Sequence, residues 1–522
     1  MSKRSRVVVW IVGGAVLAVF ACVLLAPVLA GPWVDEYARR KISELGRDRF
    51  SSTVTVENVR VSILPPSATL TGVVFTHKDR SDVPPLFRIR QIDISGDMRL
   101  FAPTPRASTV RLHGLEITVP RRKGPKRDKS SEPRPKKRPF DANFAAAEII
   151  ADGTKLQVLS KKPGREPLTF DLRWLRLHDV SLKEPMRYDA QLTNPKPPGL
   201  IRSSGAFGPW NGDEPSLTPM QGEYLFTDAD LSDFKGISGI LRSEGRFKGV
   251  LEEIVVDGAA EVPQFKLNIS DNPVHLRTQY HAIVDGTNGD TRLEPVYAQF
   301  LHSKIVAEGA VEGEKGKKGK AVRLNVNVSE ARIEDMLTLA MRGKKPLLVG
   351  PIRFQTKFDL PQGDRDVVEK LMLDGRFSID DGRFQKNKLQ DKIDSLSRKG
   401  QGNPEDTVVD NVTSDLAGGF SLRDGFIRFQ RLSFRVQGAE VAIDGNYGLR
   451  NEDLDFQGEL RLDAKVSETT SGLKALLLKA VDPLFTRKSK GKKQSVLPIK
   501  ISGTRSQPKF GLDIGKTLKR KD

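Results

Sequence analysis

Apolar and polar residues alternate one for one along most of this chain, and no other feature limits its fold as tightly. From Leu454 to Val466, the residues Leu454, Phe456, Leu460, Leu462, Ala464 and Val466 fall on one side, and Asp455, Gln457, Glu459, Arg461, Asp463 and Lys465 on the other. A period of two describes a strand with one buried face. The pattern returns in Ile352, Phe354, Phe358 and Leu360 against Arg353, Gln355, Lys357 and Asp359, and in Leu371, Leu373, Phe377 and Ile379. It returns again in Val322, Leu324, Val326 and Val328, in Leu168, Phe170, Leu172 and Trp174, in Phe265, Leu267 and Ile269, and in Leu432, Phe434 and Val436. Asp-Gly pairs (Asp257-Gly258, Asp285-Gly286, Asp381-Gly382, Asp424-Gly425, Asp444-Gly445) read as hairpin turns between such strands. About 20 strands are expected on this count, a width of about 100 Å at the usual strand spacing. Open sheets of more than about ten strands curl or split. The predicted fold is therefore mainly β: a long, curled antiparallel sheet forming a groove, preceded by a transmembrane helix and interrupted by a few short amphipathic helices. Those helices are marked by Ile333, Met336, Leu337 and Ala340, by Leu389, Ile393 and Leu396, and by Leu473, Leu476, Leu477, Ala480, Val481 and Leu484.

The transmembrane helix is predicted over 7–30, where no residue is charged. That length covers a hydrocarbon core of about 30 Å and exceeds the apolar region of a signal peptide. Trp10 and Trp33 bracket it as membrane-interface residues, with Lys3, Arg4 and Arg6 before it and Asp35 and Glu36 after it, which orients residues 1–6 to the cytoplasm. A short amphipathic helix follows, from Val34 to Gly46. The net charge of +19 gives no reason to expect nucleic acid as a partner. Five runs carry it, at residues 3–6, 121–138, 314–320, 487–493 and 516–522, and the rest of the chain sums to about −3. The largest run lies in 120–139, a Pro-, Lys- and Arg-rich insertion whose composition predicts disorder. Basic runs of this kind are solvated tails and loops or are drawn to anionic headgroups.

Catalytic patterns are missing. The single cysteine, Cys22, lies within the predicted span, so neither an intramolecular disulfide nor a cysteine-based zinc site is expected. The six histidines (His77, His113, His178, His275, His281, His302) show no metal-ligand spacing. Gly313 to Ala321 has the wrong glycine spacing for a phosphate loop and reads as a hairpin tip. Asp285, Asn288 and Asp290 open like a calcium loop, but Val296 stands where the bidentate Glu belongs, so this too reads as a turn. No enzyme activity, cofactor or metal is expected.

What remains is the apolar face. Phenylalanine (25) outnumbers tyrosine (6) and tryptophan (4), so its rings are expected to carry few polar atoms. The groove candidates are Ile352, Phe354, Phe358, Leu371, Leu373, Phe377, Leu432, Phe434, Leu454, Phe456, Leu460 and Leu462. Two readings stay open: a groove exposed to acyl chains, or a closed β scaffold binding an outer-membrane assembly factor or cell-wall polymer.

The anchor, the helix after it and the phrase Thr53–Phe75 resemble the opening of the AsmA family. Leu373–Phe384, Leu416–Ala464 and the closing Leu497–Asp513 are similar to the AsmA-like C-terminal region. The resemblance implies a single-pass bacterial inner-membrane protein with its bulk in the periplasm, related to repeating β-groove lipid-transfer proteins. It implies phospholipids as partners, a role in lipid transport between the two membranes and outer-membrane biogenesis, and a periplasmic or outer-membrane partner protein where one sheet is too short to cross. The organisation it suggests has an AsmA-like N-terminal helix and β-region at 31–119, the basic insertion at 120–139, a central β-groove at 140–360, an AsmA-like C-terminal β-region at 361–514 and a basic tail at 515–522.

Overall fold

The structure, a computed structural model, describes residues 52–63, 66–77, 82–95, 106–121, 145–160, 167–181, 184–209, 215–314, 317, 319–342, 345–385, 387–406, 411–469, 486–489 and 492–512. The described chain is mainly β, as the alternation predicts, with few helices. Its strands are β1 (Ser52–Thr55), β2 (Asn58–Ile63), β3 (Pro66–His77), β4 (Phe87–Ser95), β5 (Arg106–Val119), β6 (Ala145–Val158), β7 (Leu168–Ser181), β8 (Met186–Pro195), β9 (Pro198–Phe207), β10 (Met220–Asp230), β11 (Ile237–Ser238), β12 (Ile240–Val250), β13 (Glu253–Leu267) and β14 (Val274–Asp285). They continue as β15 (Asp290–Phe300), β16 (Ser303–Glu312), β17 (Ala321–Arg332), β18 (Leu348–Val349), β19 (Pro351–Leu360), β20 (Met372–Phe384), β21 (Ser414–Arg423), β22 (Phe426–Val436), β23 (Ala439–Gly448), β24 (Asp453–Leu462), β25 (Thr486–Ser489), β26 (Lys492–Thr504) and β27 (Pro508–Leu512). Three α-helices accompany them: α1 (Ile333–Ala340), α2 (Val367–Lys370) and α3 (Asn387–Gly400).

The residues form two compact units. The first holds the described residues up to Asp233 with Ile240–Ala260 and Tyr280–Arg292; the second holds Phe234–Gly239, Glu261–Gln279 and the described residues from Leu293 onward. In the first unit β1 and β2 both pair with β3, and the ladder runs β3–β4–β5–β6–β7–β8–β9–β10–β12. Every pair is antiparallel except β5–β6, which is parallel. A parallel pair needs a long return connection, and residues 120–144 supply it. The predicted insertion 120–139 falls in that connection, almost wholly outside the described residues. The interior of this unit is filled: Leu70, Ile92 and Val110 are fully buried, with Phe75, Ile94 and Ile149 around them.

In the second unit the ladder runs β16–β17–β19–β20–β21–β22–β23–β24–β26–β27 and is antiparallel throughout. Register shifts interrupt β17–β19 between Val328 and Ala331, β20–β21 between Ile379 and Gly382, and β22–β23 between Phe429 and Leu432. Asp381 and Arg431 take left-handed backbone angles in two of these bulges. Each bulge bends its strand and increases the local twist, which is how the sheet curls.

One device occurs twice along the chain. After β10 a 3-10 turn (Leu231–Asp233) leads to the two-residue β11, which pairs with β13, and then to β12. After β17, α1 leads to the two-residue β18, which pairs with β20, and then to β19. Ala229 faces Leu241 beyond a bulge in the first, as Ala331 faces Ile352 in the second. Gly239 and Gly350 occupy the joint, at φ +134° and +149°. A Cβ at Gly239 would stand 2.6 Å from Val262 Cγ1, so no larger residue fits.

Several expectations require correction. The strand predicted to reach Val466 stops at Leu462, and Val466 begins a 3-10 turn. Of the five Asp-Gly pairs, only Asp285-Gly286 and Asp424-Gly425 make turns; Asp257-Gly258, Asp381-Gly382 and Asp444-Gly445 lie inside β13, β20 and β23. In two of these strands the glycine makes room for a ring from another strand. A Cβ at Gly258 would stand 2.7 Å from the Tyr224 hydroxyl, and one at Gly445 would stand 2.6 Å from the Phe456 ring. Asp381, expected in a hairpin turn, sits in β20 at its bulge. The predicted span 7–30, the helix after it and the helix of Leu473 to Leu484 lie outside the described residues. Among the described residues no helix is long and apolar enough to cross a membrane.

Candidate functional site

The apolar face of the second unit is assembled one cross-strand pair at a time. Val328 stands opposite Phe354, Phe354 opposite Phe377, Ile352 opposite Ile379, and Phe358 opposite Leu373. Leu373 faces Leu422, and Ile379 faces Leu416, which in turn faces Phe434. Phe434 faces Val441, which faces Leu460; Leu432 faces Ile443; Tyr447 faces Leu454; and Phe456 faces Ile501. Register thus places eleven of the twelve groove candidates in strands on one face, while Leu371 lies immediately after α2 and before β20. The opposite face carries ion pairs such as Arg423–Asp374 (2.7 Å), Arg435–Glu440 (3.2 Å) and Arg353–Asp380. These pairs are solvent-exposed and each contributes about 0–1 kcal/mol.

Rings connect the strands across the apolar face. Phe377 lies 6.3 Å from Phe420 and 6.4 Å from Phe429, and Phe429 lies 5.9 Å from Phe456. Glycines sit between them. A Cβ at Gly375 would stand 2.9 Å from Phe420 Cζ, so a ring on one strand occupies the space that a side chain on the next leaves vacant.

Cover is uneven. Ile333, Met336 and Leu337 of α1 pack with Val328, Ile352 and Ile379, and Ile393 and Leu396 of α3 pack with Phe434, Leu460, Leu462 and Leu497. Two buried carboxylates fasten these helices. Asp335 of α1, 2% exposed, accepts from the His302 N–H at 2.9 Å and the Ser303 hydroxyl at 2.8 Å. Asp394 of α3, also 2% exposed, accepts from the N–H groups of Asn411 (3.1 Å) and Val412 (2.9 Å) and from Gln390 Nε2 (2.8 Å). Glu334 bonds the Gly350 N–H (3.0 Å) and Arg332 (2.6 Å). Burial opposes ionisation of Glu334, but those hydrogen bonds prevail and hold its carboxyl below the usual range. Beyond the helices the face is only partly covered. Of the twelve candidates, Ile352, Phe456 and Leu462 are buried, and the other nine stay half-buried. In the first unit the cluster around Leu70, Ile92 and Val110 is enclosed, whereas β9, β10 and β12 carry mostly half-buried and exposed positions. Trp10 and Trp33 lie outside the described residues.

Sequence reasoning missed a polar stretch on the first unit's inner face. Tyr188 bonds Ser203 (3.0 Å), which donates to the Glu223 carbonyl (2.9 Å). Tyr224, Tyr280 and Ser243 form a triangle in which Ser243 lies 2.7 Å from Tyr280 and 3.3 Å from Tyr224, and Ser243 also donates to the Ala259 carbonyl at 2.9 Å. These bonds use every hydroxyl proton internally. Desolvation, opposed in part by hydrogen bonding to serine, raises the pKa of both Tyr188 and Tyr224. Half of the chain's tyrosines therefore sit where rings without polar atoms were expected. The signal was present as glycine or serine at period two beside tyrosine, in Ser203-Ser204-Gly205, Gly222-Glu223-Tyr224 and Ser243-Glu244-Gly245.

Against known proteins, no family model matches the chain, and neither a curated protein nor a solved structure matches it.

Proposed function

We propose that this chain is a membrane-anchored periplasmic protein whose apolar β-face binds phospholipid acyl chains and supports lipid movement between inner and outer membranes. The observation that carries the proposal is the half-burial of eight groove candidates on a face fixed by register, four of which (Phe358, Leu373, Leu432 and Leu454) lie outside the clusters that α1 and α3 cover. A contiguous apolar surface left in that condition is suited to an apolar ligand. An acyl chain of about fifteen methylenes gains roughly 12 kcal/mol when fully shielded, and a one-sided trough recovers part of that. The gain is similar at each step along the face, so a chain can slide while its headgroup stays in water. No acid, base or nucleophile is needed, and the mechanism is passive. The resemblance to the AsmA family, the uncharged stretch 7–30 and the bracketing Trp10 and Trp33 support the inner-membrane location. The closed-scaffold reading draws support from the enclosed cluster around Leu70, Ile92 and Val110 in the first unit.

The test is mass spectrometry of lipids that co-purify with the chain. Phospholipid at near-stoichiometric amounts is expected, and Phe354→Asp or Phe358→Asp, at half-buried positions, should remove most of it while leaving the circular dichroism of the sheet unchanged. A folded, lipid-free parent protein would give the scaffold reading precedence.

A further inference from the structure

Among the described residues, β27 is the last strand of the second unit's ladder, and its one pairing is with β26. All five of its residues are exposed, including Phe510 at 68% and Leu512 at 54%. The register places Phe510 opposite Ile501 and Leu512 opposite Ile499, on the apolar face. The backbone pattern follows from the turn. The Gln507 N–H donates to the Thr504 carbonyl at 3.0 Å, and Pro508, opposite Gly503, has no N–H to give. Hydrogen-bonded and non-bonded pairs alternate in an antiparallel ladder, so Lys509 and Gly511 direct their N–H and C=O groups at β26, and Phe510 and Leu512 direct theirs at the open edge. Among the described residues, therefore, these two present both backbone groups without a ladder partner and apolar side chains that stay exposed. An edge of this kind is a template for a further strand.

Charge decides which strand. β26 and β27 contain Lys492, Lys493, Lys500 and Lys509 and no acidic residue. Lys500 and Lys509 are exposed and alternate with the apolar positions. A second copy of β27 would bring its own Lys509 to the same edge, and like charges across a strand pair destabilise it. We infer that β27 docks an extended segment of a partner protein in which apolar residues alternate with Asp or Glu, adding one strand to the apolar face. This inference rests on the edge geometry and does not depend on lipid binding.

The experiment uses the full chain in detergent micelles and a fluorescent peptide of about seven residues, the length of an ordinary short strand, alternating Val and Glu. Fluorescence anisotropy should show saturable binding, weakened about tenfold or more in Phe510→Pro, which removes an outward N–H, and in Lys509→Glu, but kept in Phe510→Leu. A Val–Lys peptide should not bind. If the Val–Glu peptide fails to bind, or both peptides bind equally, the inference is overturned. Self-association of the chain that disappears in Phe510→Pro would assign the edge to a second copy instead. Attachment to phosphatidylglycerol vesicles that survives Phe510→Pro but fails in Phe510→Asp would assign it to a membrane surface; either result refutes the partner strand. Should Phe510→Pro misfold by circular dichroism, Lys509→Glu and Phe510→Leu still decide the matter.

Discussion

Replacing Asp394 by alanine should detach α3 from the sheet, and the size of the effect can be worked from its partners. Among the hydrogen bonds the carboxylate accepts are those from the Val412 N–H at 2.9 Å and Gln390 Nε2 at 2.8 Å on one oxygen, and from the Asn411 N–H at 3.1 Å on the other. A hydrogen bond to a charged group contributes about 1.5–3 kcal/mol, and a buried donor left without an acceptor carries its own desolvation cost. Asn411 is exposed and can turn to water, whereas Gln390 is 7% exposed and would keep only its other bond, to the Val412 carbonyl at 3.0 Å. One full loss, at the Val412 N–H, and two partial losses give a destabilisation of about 3–5 kcal/mol for Asp394→Ala. Asp394→Asn keeps one accepting oxygen but points an NH₂ at a donor, so it should cost about half as much. A chain of two units is not expected to unfold in one two-state step, so the measurement is hydrogen exchange read locally at Asn411, Val412 and the α3 amides. Faster exchange there, with the β3 and β4 amides unchanged, is the expected result. Variants within about 0.5 kcal/mol of the parent at those amides would show that apolar packing by Ile393 and Leu396, rather than the carboxylate, holds the helix.

Other outcomes follow from the same structure. Glu334 has a lowered pKa in the folded protein, so its stabilisation is present above the ordinary glutamate range and is lost as pH falls through that range. Glu334→Gln should therefore destabilise at pH 7 by about 1 kcal/mol and flatten the acid limb of a stability-against-pH curve. Tyr224 has a raised pKa, so its contribution is complete below the ordinary tyrosine value and is lost as pH rises beyond it. Tyr224→Phe should remove part of the alkaline loss of stability, followed by absorbance of tyrosinate, and cost about 1 kcal/mol at pH 7. Gly445→Val places a side chain against Phe456 and the Asp455 carbonyl and should cost at least about 1–3 kcal/mol, measured by denaturant midpoint.

The strands were legible because register and burial reproduce the alternation: Ile352 to Leu360 and Met372 to Ile379 pair as their apolar sides require. The helices at Ile333 and Leu389 were legible for the same reason, a period matched to a face. The interior Asp-Gly pairs were not, because a glycine that turns the chain and a glycine that admits a ring look the same until the neighbouring strand is known. Gly445 is explained only by Phe456, eleven residues on and on another strand. The parallel β5–β6 pair was hidden because strand direction is fixed by a connection, and composition carries no direction. The uneven cover of the apolar face was equally unreadable: Phe358 and Leu70 sit in similar patterns, yet Phe358 is half-buried while Leu70 is enclosed by residues as distant in sequence as Val110 and Ile149.

The pairing scheme also governs how the chain reaches this state. In the ladders of both units, each strand finds its partner among neighbours one or two places away in the sequence. Mean sequence separation between contacting residues is then low for a β protein, and loop closure before each pairing costs little entropy. A chain delivered from its N-terminal end can add strands in the order they emerge, with no early strand waiting on a late one. The requirement falls instead on timing: until each next strand arrives, the one before it is an unsatisfied edge, and a pause in delivery leaves a surface ready to pair with the wrong chain.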